Sequence, residues 1–126
     1  WRRSVIELLK GFPNNVVAIS CHGNVTRQDY DDILIPAVEA ALQSNAKVRM
    51  LYEVANDFTG YDAGAAWEDF KTGMDHFTKW DRIAVITDID WIAGAVKIFG
   101  IFLPSTVRVY PLEDAAKARL WITQAS

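Results

Sequence analysis

Arg82-Ile83-Ala84-Val85-Ile86-Thr87-Asp88-Ile89-Asp90-Trp91-Ile92-Ala93-Gly94-Ala95-Val96-Lys97-Ile98-Phe99-Gly100-Ile101-Phe102-Leu103 is the stretch that decides the fold. Ile83 to Thr87 is a nearly continuous apolar run, the signature of a strand covered on both faces. Asp88 can cap a helix that runs from about Ile89 to Phe102. Pro104 stops it, because a proline cannot continue the hydrogen-bond ladder. Val107 to Tyr110 then reads as another strand. A strand, a helix and a strand in succession imply two parallel strands joined by a right-handed crossover.

The same unit recurs toward the N-terminus. Val48 to Val54 is a strand, followed by a polar loop from Ala55 to Tyr61 and a helix from about Asp62 to Lys79. Ala66, Phe70, Met74 and Phe77 share one face of that helix. Earlier still, Val16 to Cys21 is an apolar strand. Thr26 can cap a helix after it, and Asp29 favours the helix's positive end. Tyr30, Ile33, Leu34, Ala37, Val38, Ala41 and Leu42 then recur at a 3.6-residue period. Pro36 interrupts this helix, crowding the carbonyl of Asp32 at a cost of about 3 kcal/mol. The apolar period runs through it, so one kinked helix is expected rather than two. Val5 to Leu9 is a short strand, and Gly11-Phe12-Pro13-Asn14-Asn15 turns it antiparallel onto the next. A last helix starts at Pro111-Leu112-Glu113-Asp114 and ends near Gln124.

The result is a single α/β domain over 4–124, with about five strands in a mixed, mostly parallel sheet and four helices. The first residue is Trp1, so 1–3 are expected to be a trimmed or tag-derived start. The chain is 126 residues long, which suits one domain with one core. A hydrophobic fraction of 51% with 23% charged residues excludes a disordered chain. One cysteine, Cys21, excludes an intramolecular disulfide and a Cys-rich zinc site. The net charge of −3 argues against nucleic acid as a partner. No apolar segment reaches the ~20 residues of a membrane span. A cytoplasmic location is expected, with peripheral membrane contact as its variant.

Four segments carry a family resemblance. They are Tyr30-Asp31-Asp32-Ile33-Leu34-Ile35-Pro36-Ala37-Val38-Glu39, Phe58-Thr59-Gly60-Tyr61-Asp62 with Trp67-Glu68-Asp69-Phe70-Lys71, and Arg82-Ile83-Ala84-Val85-Ile86-Thr87-Asp88. In order and spacing they resemble the SpoIIAA-like proteins of bacteria, from about Val5 to Trp121. The resemblance implies a STAS-type fold, related in shape to anti-sigma-factor antagonists, to the cytoplasmic domains of sulfate transporters and to CRAL-TRIO (Sec14-like) lipid carriers. It brings no enzymatic activity.

Anti-sigma-factor antagonists carry a phosphorylated Ser in an Asp-x-Ser-Gly context, and Asp57-Phe58-Thr59-Gly60 resembles it, with Thr59 as the hydroxyl. Phosphate near a helix N-terminus would be stabilised there and would change docking. The plainer reading is a loop before a helix that starts at Asp62, with Asp57 and Asp62 repelling added phosphate.

The segment Trp91 to Leu103 holds a second candidate site. Lys97 is its only charge, and a helix apolar all round is buried on every side or bound to something apolar. Thirteen residues span about 20 Å, too short for a bilayer. One reading covers it on both sides, by the sheet and by the last helix with Leu112, Leu120 and Trp121. The others place a second copy, an apolar ligand or a membrane surface against Trp91, Ile92, Ala95, Ile98, Phe99, Phe102 and Leu103. A lone Lys97 argues against the membrane, since surface-bound helices are rich in Lys and Arg.

No catalytic residue, cofactor or metal is expected. Asp88-Ile89-Asp90 resembles the start of a haloacid-dehalogenase motif, without the Lys and Ser/Thr elements that chemistry needs. Asp29, Asp31 and Asp32 read as an acidic first helical turn on a solvated face. His22 and His76 have no Ser or Cys nearby in a catalytic pattern, and Cys21 reads as a small core residue. The arginines look scattered among acids. The leading expectation is a non-enzymatic regulatory module acting through a protein partner or a homodimer. The alternative is apolar small-molecule or lipid binding between the helix 91–103 and the sheet.

Overall fold

A computed structural model describes residues 5–61, 79–101 and 106–125, the side chain of Phe99 apart. The strands are β1 (Ile6–Leu8), β2 (Val16–Val25), β3 (Val48–Tyr61), β4 (Trp80–Ile86) and β5 (Thr106–Tyr110). Between β2 and β3 runs a helix, α1, made of an α-helical turn (Arg27–Asp29), a π-helical turn (Tyr30–Leu34) and an α-helical stretch (Ile35–Ser44). α2 (Asp90–Ile101) joins β4 to β5, and a 3-10 turn (Leu112–Asp114) leads into α3 (Ala115–Thr123). The helix expected from Asp62 falls on 62–78, outside the described residues.

The five strands lie side by side in chain order, with β1 antiparallel to β2 and all other neighbours parallel. Right-handed crossovers between successive parallel strands put α1 and α2 on the same face of the sheet. The two cores show it. On one face Val17, Ile19, Cys21, Met50, Tyr52, Val54 and Val85 pack with Tyr30, Leu34 and Val38 of α1 and Ile92 of α2. On the other, Val16, Ala18, Leu51, Ala84 and Ile86 pack with Ala118, Trp121 and Ile122 of α3. α3 follows the last strand and crosses to none, so it is free to fold back under the opposite face.

Pro36 is accommodated without a break. Ile35 N–H donates to Tyr30 O, five residues back, and the widened π turn relieves the crowding a proline ring causes in a regular α-helix. Pro36 then sits in the first turn of the α-helical stretch, where a missing N–H matters least. Thr26 and Asp29 form a reciprocal capping box: Thr26 N–H donates to Asp29 Oδ2 at 2.8 Å and Asp29 N–H to Thr26 Oγ1 at 3.3 Å. Asp29 is therefore buried in the cap, not part of a solvated acidic turn.

The loop expected from Ala55 to Tyr61 is instead the second half of β3. It pairs Gly23 with Phe58, Asn24 with Gly60 and Val25 with Tyr61, after register shifts on either side of Gly23. Gly23 (φ 57°) and Gly60 (φ 149°) take angles that side-chain-bearing residues avoid. Phe58 and Tyr61 pack against the α1-face core, and that burial outweighs the polar look of Asn56 and Asp57. Tyr61 also joins a row of hydroxyls across the core. Tyr30 and Tyr52 share a hydrogen bond of 2.7 Å, and Tyr52 shares another with Tyr61.

Candidate functional site

α2 begins where β4 runs out. Thr87 Oγ1 accepts Ile89 N–H at 3.0 Å, and Ala93 N–H donates to Ile89 O to close the first turn. Asp88, expected as the cap of this helix, instead accepts Leu112 N–H at 2.9 Å. It braces the turn before α3, because that turn lies beside the end of β4, as the bond from Thr87 N–H to Tyr110 O also shows.

The orientation of α2 is set at two points. Ile92 is 5% exposed, in the α1-face core. At Gly100 the helix comes so close to β5 that an added Cβ would stand 3.0 Å from Val107 Cβ. Between and beside these anchors a set of residues faces out. Trp91 and Ile98 are each 63% exposed and Ile101 78%, with Gly94 and Ala95 exposed among them. The spacing 91, 94/95, 98, 101 makes one stripe on a helix. Lys97 and Asp90, also exposed, are the charges on this helix.

The expected site is thus divided. Trp91, Ala95 and Ile98 lie together on the outward stripe, whereas Ile92 faces the core. Ile101, not among the expected residues, extends the stripe. Phe102, Leu103 and the Phe99 side chain lie outside what is described. The reading that covered the helix with the last helix is overturned: α3 packs on the opposite face, and Trp121 is buried there. Sequence patterning cannot reveal which face a terminal helix takes.

Thr59 is exposed, within β3 rather than in a loop. Its neighbour Asp57 accepts a hydrogen bond from His22 Nδ1 at 2.8 Å, and His22 Nε2 faces Glu7 at 3.6 Å. Ser20 Oγ donates to Glu53 Oε2 at 3.0 Å, with Arg119 3.9 Å from the other Glu53 oxygen. The serine proton is held by a carboxylate, so Ser20 is not poised as a nucleophile on a histidine. Among the described residues no group of three or more His, Cys, Asp or Glu could hold a metal ion. His76 lies outside them.

The arginines are not scattered in space. Arg49 and Arg82 are direct cross-strand partners, and both turn to the C-terminus of α3. Arg49 Nη1 donates to Ile122 O at 3.0 Å and its Nε to Asp81 at 2.8 Å, while Arg82 donates to Trp121 O at 2.8 Å. Arg108 stacks over the Trp121 ring, 4.6 Å from its centre. Arg49 and Arg82 satisfy orphan helix carbonyls and complement the negative end of the helix. Register brings them together across positions 49 to 108, a signal absent from linear spacing.

A cavity of about 300 Å³ opens between the β1–β2 hairpin and α1. Leu8, Leu9, Val17, Ala37 and Ala41 line it, with Asn14 and Ser44 as its polar groups. None of its lining residues belongs to α2, so it is not the pocket expected between α2 and the sheet. No described helix is long and apolar enough to cross a membrane.

No curated protein matches the chain. Among solved structures, the crystal structure of an uncharacterised DUF3478-family protein with a SpoIIAA-like fold, from Shewanella loihica PV-4, is similar. It shares 25% identity over 93% of this chain and 91% of that one, with a TM-score of 0.71. Residues 16–123 match the SpoIIAA-like family. With five strands in sequential order, mostly parallel, and a match spanning β2 to α3, the chain belongs to the SpoIIAA-like family.

Proposed function

We propose that this chain is a non-enzymatic regulatory module that works by protein docking on the outward stripe of α2, with a second copy of itself as the first partner. The observation that carries the reading is the exposure of Trp91, Ile98 and Ile101 on a helix anchored from below. Burying side chains of this kind is worth about 1.5–3 kcal/mol each. Gly94 and Ala95, small and exposed at the middle of the stripe, let another surface come close. SpoIIAA-like proteins are typically interaction modules, which agrees with the reading. Sedimentation velocity tests it: Ile98→Glu should shift a wild-type dimer to monomer with unchanged circular dichroism. A wild type that stays monomeric at every attainable concentration overturns docking between copies.

The cavity beside α1 favours a second reading, the binding of a small apolar molecule. Its volume is at the lower end of ligand pockets, and its walls are apolar with two polar groups. Native mass spectrometry of freshly purified protein should then show an added mass, and Ala41→Leu should remove it. Co-sedimentation with neutral and anionic vesicles separates a free ligand from a membrane-borne one. As for Thr59, its exposure on β3 is compatible with phosphorylation, which mass spectrometry of protein from its host would detect or refute.

A further inference from the structure

The two edges of the sheet are built differently. β1 is three residues long, carries exposed Glu7, and is followed by exposed Lys10 and Pro13. Short length, charge and proline are the usual defences of an edge against pairing. β5 has five residues, Thr106-Val107-Arg108-Val109-Tyr110, with no proline and one charge. Among the described residues β4 is its only neighbour.

The register shows which backbone groups of β5 are already paired. Thr87 N–H donates to Tyr110 O, so residue 110 faces β4. Backbone groups alternate along a strand, so Thr106 and Arg108 face β4 as well, in the register that sets Ala84 beside Arg108. Val107 and Val109 therefore turn their N–H and C=O outward. That row of donors and acceptors fits one kind of occupant, an extended chain.

The side chains narrow the choice. Arg108 is exposed and lies on the α3 face, over Trp121. Among the described residues it meets an aromatic ring and no carboxylate, unlike Arg49, which holds Asp81. A second copy of β5 paired antiparallel through Val107 and Val109 would place Arg108 opposite Arg108, and like charges directly opposite are destabilising. A strand with an acidic residue at that position gains the opposite pairing. On the other face its flanking residues would continue the apolar surface of Val107 and Val109.

We propose that the outer edge of β5 pairs with an extended segment of a partner protein whose sequence alternates apolar, acidic, apolar, its acidic residue facing Arg108. The proposal does not rest on the docking role of α2, since its contacts are backbone groups of a strand that the α2 substitutions leave intact.

The test is a titration of the isotope-labelled protein, followed by amide shifts, with two capped pentapeptides: Thr-Val-Glu-Val-Thr and Thr-Val-Lys-Val-Thr. The glutamate peptide should move the Val107 and Val109 amides and bind about fivefold tighter than the lysine peptide. Val109→Pro removes an outward N–H and spares the β4 ladder, a position where edge strands accept proline. It should abolish binding. Arg108→Glu should invert the preference between the peptides, and this charge swap decides the matter if the proline variant fails to fold. Unmoved Val107 and Val109 amides, or equal affinity for the two peptides, overturns the proposal. A wild-type dimer lost on Val109→Pro also overturns it, by assigning the edge to a second copy.

Discussion

Gly94 and Gly100 lie in the same helix, yet the same substitution should act on them with opposite sign. Glycine in a helix interior costs about 0.8–1 kcal/mol relative to alanine. At Gly94 an added Cβ meets nothing within 4 Å. Gly94→Ala should therefore realise the full gain, about 1 kcal/mol of stability. At Gly100 the added Cβ would meet Val107 Cβ at 3.0 Å, Cγ2 at 3.2 Å and Cγ1 at 3.4 Å. Ordinary carbon–carbon contacts lie near 3.5–4.0 Å. The nearest atom is a Cβ fixed to the backbone of a strand, so rotating the valine does not relieve it. The helix must lift instead, and overpacking of this kind costs roughly 1–3 kcal/mol. Set against the propensity gain, the net effect of Gly100→Ala is a loss of about 1 kcal/mol. Urea denaturation of both variants measures the signs, and thermal melts should shift by about 4 °C in opposite directions. If Gly100→Ala stabilises as much as Gly94→Ala, α2 does not sit on Val107 as described. The outward turn of Trp91 and Ile98 would lose its support with it.

In dilute, monomeric protein Trp91→Glu and Ile98→Glu should change unfolding free energy by no more than about 0.5 kcal/mol, as exposed positions do; a large loss in denaturant titrations of the monomer would show that the stripe is covered within the chain. Tyr52→Phe removes the hydroxyl that Tyr30 and Tyr61 both use, and should cost about 1–3 kcal/mol in the same assay. Arg49→Met strips a donor from Ile122 O and leaves the half-exposed Asp81 without its guanidinium, a loss of about 1.5–3 kcal/mol. Hydrogen exchange should show the lost protection concentrated in α3; uniform loss over the sheet would refute a local clamp.

Much of the architecture is legible in the sequence because it is written in periods. Apolar runs at 16–21 and 83–87 announce buried strands, and the 3.6-residue repeat from Tyr30 to Leu42 announces α1 despite Pro36. Short-range chemistry is legible too, as in Thr26 at the start of α1, although the burial of Asp29 in that cap is not. What stays hidden depends on partners far along the chain. The second half of β3 looks like a loop because Asn56 and Asp57 are polar, and only pairing with Gly23, Asn24 and Val25 makes it a strand. Asp88 looks like the cap of the helix beside it in sequence, yet its partner is 24 residues away. The arginine row needs the β3–β4 register to exist at all.

The candidate site is half legible for a related reason. Composition shows that α2 has more apolar surface than one face of a sheet can hide. It does not show where cover would come from, because chain order says nothing about which face a terminal helix takes. Sequential parallel strands send α1 and α2 to one side, and α3, which crosses to nothing, takes the other. The alternative, α3 stacked outside α2, would leave Val16, Ala18, Leu51, Ala84 and Ile86 open to water. Those five side chains, set on the broad face of the sheet, outweigh the outward stripe of α2, so the short terminal helix goes to the bare sheet. The apolar stripe on α2 is what remains exposed once the last helix is committed elsewhere.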